Sequence, residues 1–456
     1  MKLSSLWEPR LSASDGTPAE RLAAALADDI ASGALAQGER LPAHRDLATR
    51  LEIGLGSVTK AFAALERRGL VQSEKGRGCF VTVQTQARRE TIDLAFNAPP
   101  ALMAERVLKA TLVKIARRID PASLALYPPL GGREADRAAM ANWLGALGGP
   151  HDPARTLLCD GAQQALALAL ATLRRPGELV VSEAPTYPGL IALARMGGLR
   201  LVGARMDEQG VTPEGLEAAL TRAGGRPVVY LTPTGQNPTG ATMGLARRHA
   251  LAAVARARDA LIVEDAVFTH THSHERPALA TLAPERVFYV NSLSKTVSPG
   301  LRVGALVVPP LWLDATLDVL RGSGQIAGAM GCLVMTAWME DGTAQRLRAG
   351  IVAEMEARQS LARTVLGAAI ARPQTAVPHV WAPMPLHRAQ VVAALAAAQG
   401  CMVTPPDAVT VDEAGETGVR ICLGAVDRAA LEMGLATLRR CLDQAPPATS
   451  GFRAAL

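Results

Sequence analysis

One lysine stands where this chain could do covalent chemistry with a carbonyl compound. The sequence has 456 residues, and Lys295 is its only lysine after Lys114. A Schiff base needs a primary amine that can lose its proton, which arginine cannot supply because its guanidinium stays charged. In NSLSKTVSPGLRVG, the hydroxyls of Ser292 and Ser294 and the guanidinium of Arg302 could converge on a phosphate. The sequence therefore predicts that Lys295 binds a phosphate-bearing carbonyl compound.

A carboxylate precedes this lysine at the end of another β-rich run. Asp265 follows the apolar run 261–263, so it should lie at the C-terminal end of a strand, where α/β folds place ligand-binding residues. A carboxylate there could pair with the protonated ring nitrogen of pyridoxal 5'-phosphate and keep the ring an electron sink. Taken alone, a carboxylate in this position is more often a helix cap.

The elements that must position these residues alternate between helical patterns and short β-rich runs from about residue 94 onward. This alternation predicts an α/β domain over 94–446 with a mostly parallel sheet. A helix should begin directly after the run 156–159, and its free backbone N–H groups at Gly161, Ala162 and Gln163 could cradle a phosphate. The proline-bearing tail at 447–456 is expected to be poorly ordered.

The N-terminal part of the chain has a different organisation. Three helical segments span 19–32, 43–51 and 57–68. Two β segments follow and flank a Gly-Arg-Gly corner at 76–78. This order predicts a winged helix-turn-helix over 1–83, joined to the rest by a polar tether at 84–93. In such a domain the second helix of the motif enters the DNA major groove.

Basic side chains cluster where that motif would meet DNA. The segment 55–78 carries five Lys or Arg residues against two Glu, so five minus two leaves a charge of +3, within a total of +6 for the chain. A basic excess at this place suits phosphate contacts. The alternative is that Lys60, Arg67 and Arg68 only solvate an exposed helix face.

The stretch IASGALAQGERLPAHRDLATRLEIGLGSVTKAFAALERRGLVQSEKGRGCFV closely resembles the GntR family of winged-helix repressors and activators. The resemblance implies contacts with double-stranded operator DNA from five positions in the second helix, the recognition helix and the wing tip, which are Arg45, Ser57, Thr59, Lys60 and Arg77. One departure is Gly-Leu-Gly at 54–56, where many relatives carry a polar triplet. Base readout is therefore expected to differ from that of these relatives.

The C-terminal part resembles fold-type I aminotransferases, in which a smaller C-terminal α+β subdomain follows the large sheet. With the N-terminal part, the whole chain resembles the MocR subfamily of GntR regulators. The resemblance implies a Schiff base between Lys295 and pyridoxal 5'-phosphate, and contact of Asp265 with the ring nitrogen. It also implies contact of Asn237 in QNPTG with the ring hydroxyl, and stacking of Tyr187 on the ring. The implied phosphate-binding positions are Gly161, Ala162, Gln163, Ser292, Ser294 and Arg302.

Three further positions follow from the same resemblance. Arg420 in GVRICLG matches an arginine that grips an α-carboxylate bidentately. Tyr127 in LYPPLGG matches a tyrosine that reaches the phosphate of the neighbouring subunit, which implies a homodimer. Phe268 borders the cofactor where working aminotransferases usually carry a tyrosine that donates to the ring oxygen. Alternatively, QNPTG is only a turn sequence and Tyr187 only packs in a loop.

The missing tyrosine hydroxyl, together with Ala162 in place of a phosphate-binding Ser or Thr, favours a sensor over an enzyme. The expected function is transcription regulation, in which pyridoxal 5'-phosphate, or its adduct with an amino acid or amine effector at Lys295, changes DNA affinity. The alternative is an aminotransferase with an accessory DNA-binding domain, because Lys295, Asp265, Asn237 and Arg420 all remain. A DNA-packaging protein would have no use for this constellation.

The rest of the composition bears on other classes of protein. The chain shows no signal-peptide core and no apolar stretch of the ~18 residues that a membrane helix needs, so a cytoplasmic protein without a membrane partner is expected. Its six cysteines lie far apart without a CxxC pair, which predicts buried thiols. His270, His272 and His274 lack the spacing of metal ligands, so an exposed loop without a metal is expected.

Overall fold

The structure is a computed structural model in which the chain divides into two compact units, Met1–Glu90 and Thr91–Leu456. It describes residues 10–12, 16–36, 38–74, 78–82, 91–117, 119–120, 125–175, 177–223, 226–270, 276–324, 326–412 and 416–446. Of the predicted features, Arg77 at the wing tip, residues 84–90 of the 84–93 tether and the tail at 447–456 lie outside these residues.

In its described residues, the smaller unit contains three helices and an antiparallel pair of strands. These elements are α1 Pro18–Ala31, α2 His44–Arg50, α3 Leu55–Arg67, β1 Val71–Glu74 and β2 Gly78–Val81. The start of α1 is fixed by a capping box, in which Thr17 Oγ accepts from the Glu20 N–H and the Glu20 carboxylate accepts from the Thr17 N–H. This is the predicted winged helix-turn-helix.

A single apolar cluster holds these three helices and the hairpin together. Leu22 and Leu26 of α1 pack with Leu47 of α2 and with Phe62 and Leu65 of α3, and all five side chains are buried. The recognition helix α3 begins at Leu55, two residues earlier than predicted, because Gly54 adopts an extended conformation and starts the helix there. The small unit therefore has a core of its own.

The larger unit contains the rest of the described α-helices and strands. Up to residue 340 they are β3 Ile92–Leu94, α4 Glu105–Ala116, α5 Glu134–Ala146, β4 Thr156–Cys159, α6 Gly161–Leu173, β5 Leu179–Glu183, α7 Pro188–Met196, β6 Arg200–Ala204, β7 Met206–Asp207, β8 Gly210–Val211, α8 Pro213–Ala223, β9 Val228–Leu231, α9 Leu245–Ala257, β10 Leu261–Asp265, α10 Leu279–Leu282, β11 Val287–Ser292, β12 Gly304–Val307, α11 Leu313–Ser323 and α12 Ala329–Glu340. The remaining ones are α13 Thr343–Leu366, β13 His379–Pro383, α14 Leu386–Ala398, β14 Cys401–Val403, β15 Gly418–Cys422 and α15 Arg428–Gln444.

A seven-stranded sheet forms the centre of this unit, in the order β4-β12-β11-β10-β9-β5-β6. The strands run parallel except β12, which is antiparallel to both of its neighbours. Side chains alternate between two apolar layers: Ile262 belongs to one cluster, whereas Leu261 and Val263 belong to the other. The mostly parallel α/β fold is confirmed.

Between Ala362 and Ala445, the described residues build a smaller α+β layer with its own cluster of buried side chains. In it β13 pairs antiparallel with β15, and β14 pairs parallel with β3. The larger unit starts at Thr91 and strand β3 at Ile92, so the last three residues of the predicted 84–93 tether already belong to the larger unit. The segment that leads into the larger unit is thus hydrogen-bonded to its C-terminal layer.

Two smaller expectations have clear outcomes. All six cysteines are buried free thiols, as predicted. The prediction of an exposed loop is wrong for His270, because the chain after β10 folds into the domain and buries Val267, Phe268 and His270. His272 and His274 lie outside the described residues. Among the described helices, none combines the length and the apolarity that a membrane span requires.

Candidate functional site

A cavity of about 390 Å³ lies at the carboxyl ends of the central parallel strands. This is the edge where open α/β sheets bind ligands. Most of the residues predicted from the sequence line it together, namely Ala162, Gln163, Tyr187, Asn237, Asp265, Phe268, Ser292, Ser294, Lys295, Arg302 and Arg420. Residues from a segment that the sequence did not single out, 95–98, line it as well.

Lys295 follows β11 and is poised to react as a free amine. Its Nζ donates to the backbone carbonyl oxygen of Asn97. Burial lowers the pKa of Lys295 to about 8, assisted by the positive charges of Arg420 and Arg302. An amine with this pKa is substantially uncharged at mildly alkaline pH, which is the form that attacks a carbonyl carbon.

Asp265 ends β10 and is almost fully buried. The Tyr230 hydroxyl donates to its Oδ2 at 2.8 Å, and the Val267 N–H donates to its Oδ1 at 3.3 Å. Burial raises the pKa of Asp265, while these hydrogen bonds oppose the rise. The chain continues from Asp265 into a turn rather than a helix, so Asp265 is not a helix cap. A buried carboxylate held in this way is suited to accept from a protonated ring nitrogen.

Arg420 and Asn237 are linked across the cavity. Arg420 Nη1 donates to Asn237 Oδ1 at 2.7 Å, while Nη2 donates to Thr404 Oγ at 2.9 Å and to the Ala95 carbonyl at 3.2 Å. Arg420 lies on β15 and is buried, so its charge is held by these fixed contacts. Asn237 presents its oxygen to the guanidinium and must direct its nitrogen elsewhere.

Three residues predicted to bind phosphate, Gly161, Ala162 and Gln163, form the start of α6, and Arg302 reaches the same point. Gly161 opens this helix with φ +77°, directly after β4. Arg302 Nη2 donates to the Asp160 carbonyl at 2.9 Å, beside Gly161. The Ser294 N–H donates to Ser292 Oγ at 3.3 Å. The cavity is lined by Ala162 and Gln163 of this helix and by Ser292, Ser294 and Arg302, whereas Gly161 does not line it. The first turn of a helix, two serines and an arginine thus border one cavity, as a phosphate site requires.

The aromatic residues of the site are held by polar and edge contacts. The Tyr187 hydroxyl donates to Gln163 Oε1 at 3.0 Å, and Gln163 Nε2 donates to the Gly189 carbonyl at 2.9 Å. Phe268 is buried and meets His379 edge-on, with ring centroids 5.5 Å apart. Phe268 therefore brings an apolar edge where a tyrosine would bring a donor.

Some predicted residues lie away from the cavity. The Tyr127 side chain is 96% exposed in the single chain and does not line the site. In the small unit, Arg45 lies exposed on α2, while Thr59 and Lys60 lie exposed and Ser57 half-buried on α3. The Thr59 hydroxyl donates to the Leu55 carbonyl at 3.1 Å.

Several residues of the site were missed by sequence reasoning. Tyr230 sits in the middle of the buried strand β9, and its hydroxyl needed a partner. It pairs with Val263, two residues before Asp265, so the alternation of side chains along the strand places both polar groups on the same face of the sheet. That signal was available from the sequence. Asn97 and His379 gave no comparable signal, because each lies far from the cavity motifs in sequence.

Comparison with known proteins agrees with this geometry. Residues 89–438 match the family model "Aminotransferase class I and II", which is more than half of the chain. The chain belongs to this aminotransferase family. Residues 18–81 match a second model, "Bacterial regulatory proteins, gntR family", and the two together give the domain composition of the MocR-type regulators.

Two relatives that are similar over most of this aminotransferase-family chain are named as transcriptional regulators. The pyridoxine biosynthesis transcriptional regulator PdxR of Corynebacterium glutamicum is 28% identical over 74% of this chain and 76% of its own. The transcriptional regulator TauR of Rhodobacter capsulatus is 28% identical over 78% of this chain and 80% of its own.

Two of the solved structures that are similar to this aminotransferase-family chain are aminotransferases. The α-aminoadipate aminotransferase LysN of Thermus thermophilus, solved with N-(5'-phosphopyridoxyl)-L-leucine, is 25% identical. It has a TM-score of 0.70, and the match covers 83% of this chain and 96% of that one. An archaeal alanine:glyoxylate aminotransferase has a TM-score of 0.71 at 22% identity, over 85% and 95% of the two chains, and supports the fold alone.

Proposed function

We propose that this protein is a transcriptional regulator that binds operator DNA through its N-terminal unit and senses pyridoxal 5'-phosphate, or an amino acid or amine that combines with it, through Lys295. The observation that carries the proposal is the cavity that gathers Lys295, Asp265, Asn237 and Arg420 in a chain that also has a GntR domain. The names of the regulator relatives support the same assignment.

The side chains of the cavity fit this cofactor. When bound, pyridoxal 5'-phosphate supplies an aldehyde that links to a primary amine and a ring that withdraws electrons. Lys295 provides the amine, Asp265 an acceptor for the ring N–H, and Asn237 a hydrogen bond to the ring hydroxyl. The phosphate would be held by the start of α6 with Ser292, Ser294 and Arg302. Tyr187 would stack on the ring.

Arg420 would allow the site to bind amino acids through their carboxylate group. A guanidinium binds a carboxylate through two parallel hydrogen bonds, and a buried one does so with strong geometric selectivity. An effector carboxylate would compete with the Ala95 carbonyl and Thr404 Oγ for the Arg420 donors. An effector amine would replace the Lys295 amine in its link to the cofactor. The lysine side chain would then be released.

The N-terminal unit supplies the DNA-binding part of the proposal. Lys60 and Thr59 are exposed at the start of α3, and Arg45 is exposed on α2, as a helix in the major groove and its flanking phosphate contacts require. Because DNA is the partner, we place the protein in the cytoplasm. The exposure of Tyr127 fits a residue that completes the site of a second copy, so we propose a homodimer.

A second candidate function is amino-group transfer between an amino acid and a 2-oxo acid. The observation in its favour is that Lys295, Asp265, Asn237 and Arg420 are all present and line the cavity. Against it stands Phe268, which leaves the ring oxygen without the usual donor at that position. Turnover of an amino acid with a 2-oxo acid, without any specific DNA binding, would favour the enzyme.

The first test is the visible absorption spectrum of the purified protein and of Lys295→Ala with added pyridoxal 5'-phosphate. We expect the band of the covalent link in the wild type only, because the variant has no amine at the site. The second test measures binding to DNA selected from a random duplex library, with and without amino acids and amines. A change of DNA affinity on adding one of these compounds, lost in Lys295→Ala, supports the proposal. Tight DNA binding that no cofactor or amine alters would refute the sensing part.

A further inference from the structure

The Gln163 side chain joins the first turns of two helices that border the cavity. Gln163 lies in the first turn of α6, and Tyr187 immediately precedes α7. Gln163 Oε1 accepts from the Tyr187 hydroxyl at 3.0 Å, and Gln163 Nε2 donates to the Gly189 carbonyl at 2.9 Å. One amide group thus holds both the hydroxyl end of Tyr187 and the backbone that follows this residue.

The partners of this amide fix its orientation. The Gly189 carbonyl can only accept, so the amide nitrogen must face it and the amide oxygen must face Tyr187. Rotation by 180° would bring the Gln163 oxygen against the Gly189 oxygen. The Tyr187 hydroxyl has one proton, and the contact with Gln163 uses it. Tyr187 therefore has no proton to donate to a bound molecule and does not replace the donor that Phe268 lacks.

The backbone of Gly189 packs directly against the Tyr187 ring. A Cβ atom at position 189 would lie 2.5 Å from the Tyr187 hydroxyl oxygen and closer still to the ring carbon Cζ. A side chain at this position would overlap with the ring unless the ring moved. The ring is therefore held in two ways, by a hydrogen bond from its hydroxyl and by close packing on a glycine.

The Tyr187 hydroxyl also lies close to the charged residues of the cavity. Burial raises the pKa of Tyr187, the negative charge of Asp265 adds to the rise, and the positive charges of Arg420 and Arg302 oppose it. These three residues belong to separate parts of the chain and line the same cavity as Tyr187. Because interactions between charges weaken with distance, the held ring is a neighbour of the groups proposed to bind the cofactor.

We propose that Gln163 is a positioning residue, which holds the Tyr187 ring where it covers the ring of bound pyridoxal 5'-phosphate. Its side chain acts through Tyr187 rather than on the phosphate, in contrast to the contact that the family resemblance implies. The energy of aromatic stacking depends on the relative orientation of the rings, so a fixed ring binds the cofactor better than a free one. This inference rests on the proposed binding of the cofactor at Lys295 and on the proposed stacking of Tyr187.

The first test is a double-mutant cycle in the full-length protein, with Gln163→Met, Tyr187→Phe and the two combined. Titration with pyridoxal 5'-phosphate gives the cofactor affinity, and the circular dichroism of the visible band reports how the cofactor ring is held. Each single variant should bind the cofactor about three- to tenfold more weakly, because each removes the hydrogen bond between the two side chains. The double variant should bind no more weakly than Gln163→Met.

The control for the glutamine substitution is Gln399→Met. Gln399 is also half-buried, and its amide contacts Cys441 in the C-terminal layer, outside the lining of the cavity. Cofactor affinity and the dichroic band should stay as in the wild type.

Gly189→Ala tests the position of the ring without removing a hydrogen-bonding group. The added methyl group should push the Tyr187 ring aside, so we expect weaker cofactor binding and a changed dichroic band. Alanine is favoured over glycine in a helix, so the packing strain should be partly offset and the protein should still fold. Gly322→Ala, whose Cβ would meet nothing within 4 Å, is the control.

Three results would overturn the proposal. Losses that multiply in the double variant would mean that the two side chains act independently. A loss in Gln163→Met with wild-type affinity in Tyr187→Phe would mean that the Gln163 side chain binds the cofactor directly. Wild-type affinity in Gly189→Ala would mean that the position of the ring does not matter. If the wild type itself forms no visible band, the proposed cofactor binding fails, and this result differs from a band that forms equally in all variants.

Discussion

At the scale of single residues, burial decides what Lys295 can do. The surface lysine Lys109 pairs with Glu105 on an exposed helix face, whereas Lys295 is surrounded by protein and by the positive charges of Arg420 and Arg302. Desolvation penalises the ammonium form, so the amine loses its proton more easily than that of a free lysine. The sequence alone pointed to Lys295 because it stands apart from the other lysines, but it could not give the reactivity.

The reaction of Lys295 with pyridoxal 5'-phosphate should follow the pKa of about 8. Below that pH the amine is protonated and cannot attack, so the rate of capture by cofactor-free protein should rise with pH and level off above about 8. Stopped-flow absorbance across a pH series measures this rate. Free Nα-acetyl-lysine, with an ordinary pKa near ~10.4, is the reference in the same buffers. A midpoint close to that of the reference would contradict the prediction.

Tyr230→Phe should weaken the support for Asp265. The Tyr230 hydroxyl lowers the pKa of Asp265, so its loss should let that pKa rise further and make the carboxylate a poorer partner for a protonated ring nitrogen. We expect cofactor affinity to fall by about 0.5–1.5 kcal/mol, the net value of one hydrogen bond. Equilibrium titration by the visible band measures the affinity.

Tyr289→Phe is the matched control for this substitution. Tyr289 is equally buried, on the neighbouring strand β11, and its hydroxyl is not a hydrogen-bond partner of the Asp265 carboxylate. Its removal should leave cofactor affinity as in the wild type. Equal losses in the two variants would mean that the buried hydroxyls act through the fold rather than through Asp265.

At the scale of helices and strands, the site is assembled by the close approach of two backbone segments. Strand β12 passes directly under the start of α6: a Cβ atom on Gly304 would lie 2.6 Å from the Gly161 carbonyl carbon and 2.9 Å from the Ala162 nitrogen. Backbone atoms cannot yield as a flexible side chain can. The antiparallel strand thus sets the position of the helix N–H groups that face the phosphate.

Gly304→Ala should therefore displace the start of α6. We expect a loss of stability of about 1–3 kcal/mol from overpacking, together with weaker cofactor binding. Thermal unfolding and the visible titration measure the two effects. Gly322→Ala is the control, because a Cβ on Gly322 in α11 would meet nothing within 4 Å. That variant should be as stable as the wild type or slightly more so. A Gly304→Ala protein that behaves like this control would show that the helix is free to shift.

Lys60→Gln should weaken DNA binding without changing base preference. Lys60 is exposed on the recognition helix, where an ammonium releases counterions from phosphates. The slope of log affinity against log salt should fall by about one, uniformly over DNA sequences. Fluorescence anisotropy at several salt concentrations measures the slope. Lys109→Gln removes an exposed lysine from the larger unit and should leave the slope unaltered. An unchanged slope in Lys60→Gln would favour the alternative that Lys60 only solvates an exposed helix face.

The elements were also the part of the fold that the sequence predicted best. Apolar runs such as 261–263 read as strands because both faces of a parallel strand are buried, and they fall on observed strands. The start of α3 at Leu55 was missed, since Gly54 and Gly56 look like loop residues until the backbone shows that one begins the helix. The segment 95–98 had no periodic pattern at all. Its role comes from contacts with residues about 200 to 330 positions away, which no local pattern encodes.

At the scale of the whole molecule, the two units have separate apolar cores. The small unit is packed around residues such as Phe62, and the sheet of the larger unit around residues such as Phe288. The sequence indicated two domains through the change of pattern near residue 83. It could not show that the first strand after the tether would pair with β14 near the other end of the chain.

Separate cores predict separate unfolding transitions. Phe62→Ala should destabilise the small unit by about 3–5 kcal/mol and leave the transition of the larger unit in place. Phe288→Ala should have the converse effect. Scanning calorimetry of the full-length variants, with the visible band as a probe of the larger unit alone, distinguishes the two. If either substitution shifts both transitions equally, the units unfold as one.

The segment 95–97 also affects how the site binds ligands. It already accepts hydrogen bonds from the two cations that ligands would engage, through the Asn97 carbonyl for Lys295 and the Ala95 carbonyl for Arg420. A ligand must exchange these contacts rather than simply add new ones, so only a molecule that replaces both gains the full affinity. These internal contacts therefore compete with ligands. A simple anion or a simple carbonyl compound replaces only one of them and should bind weakly.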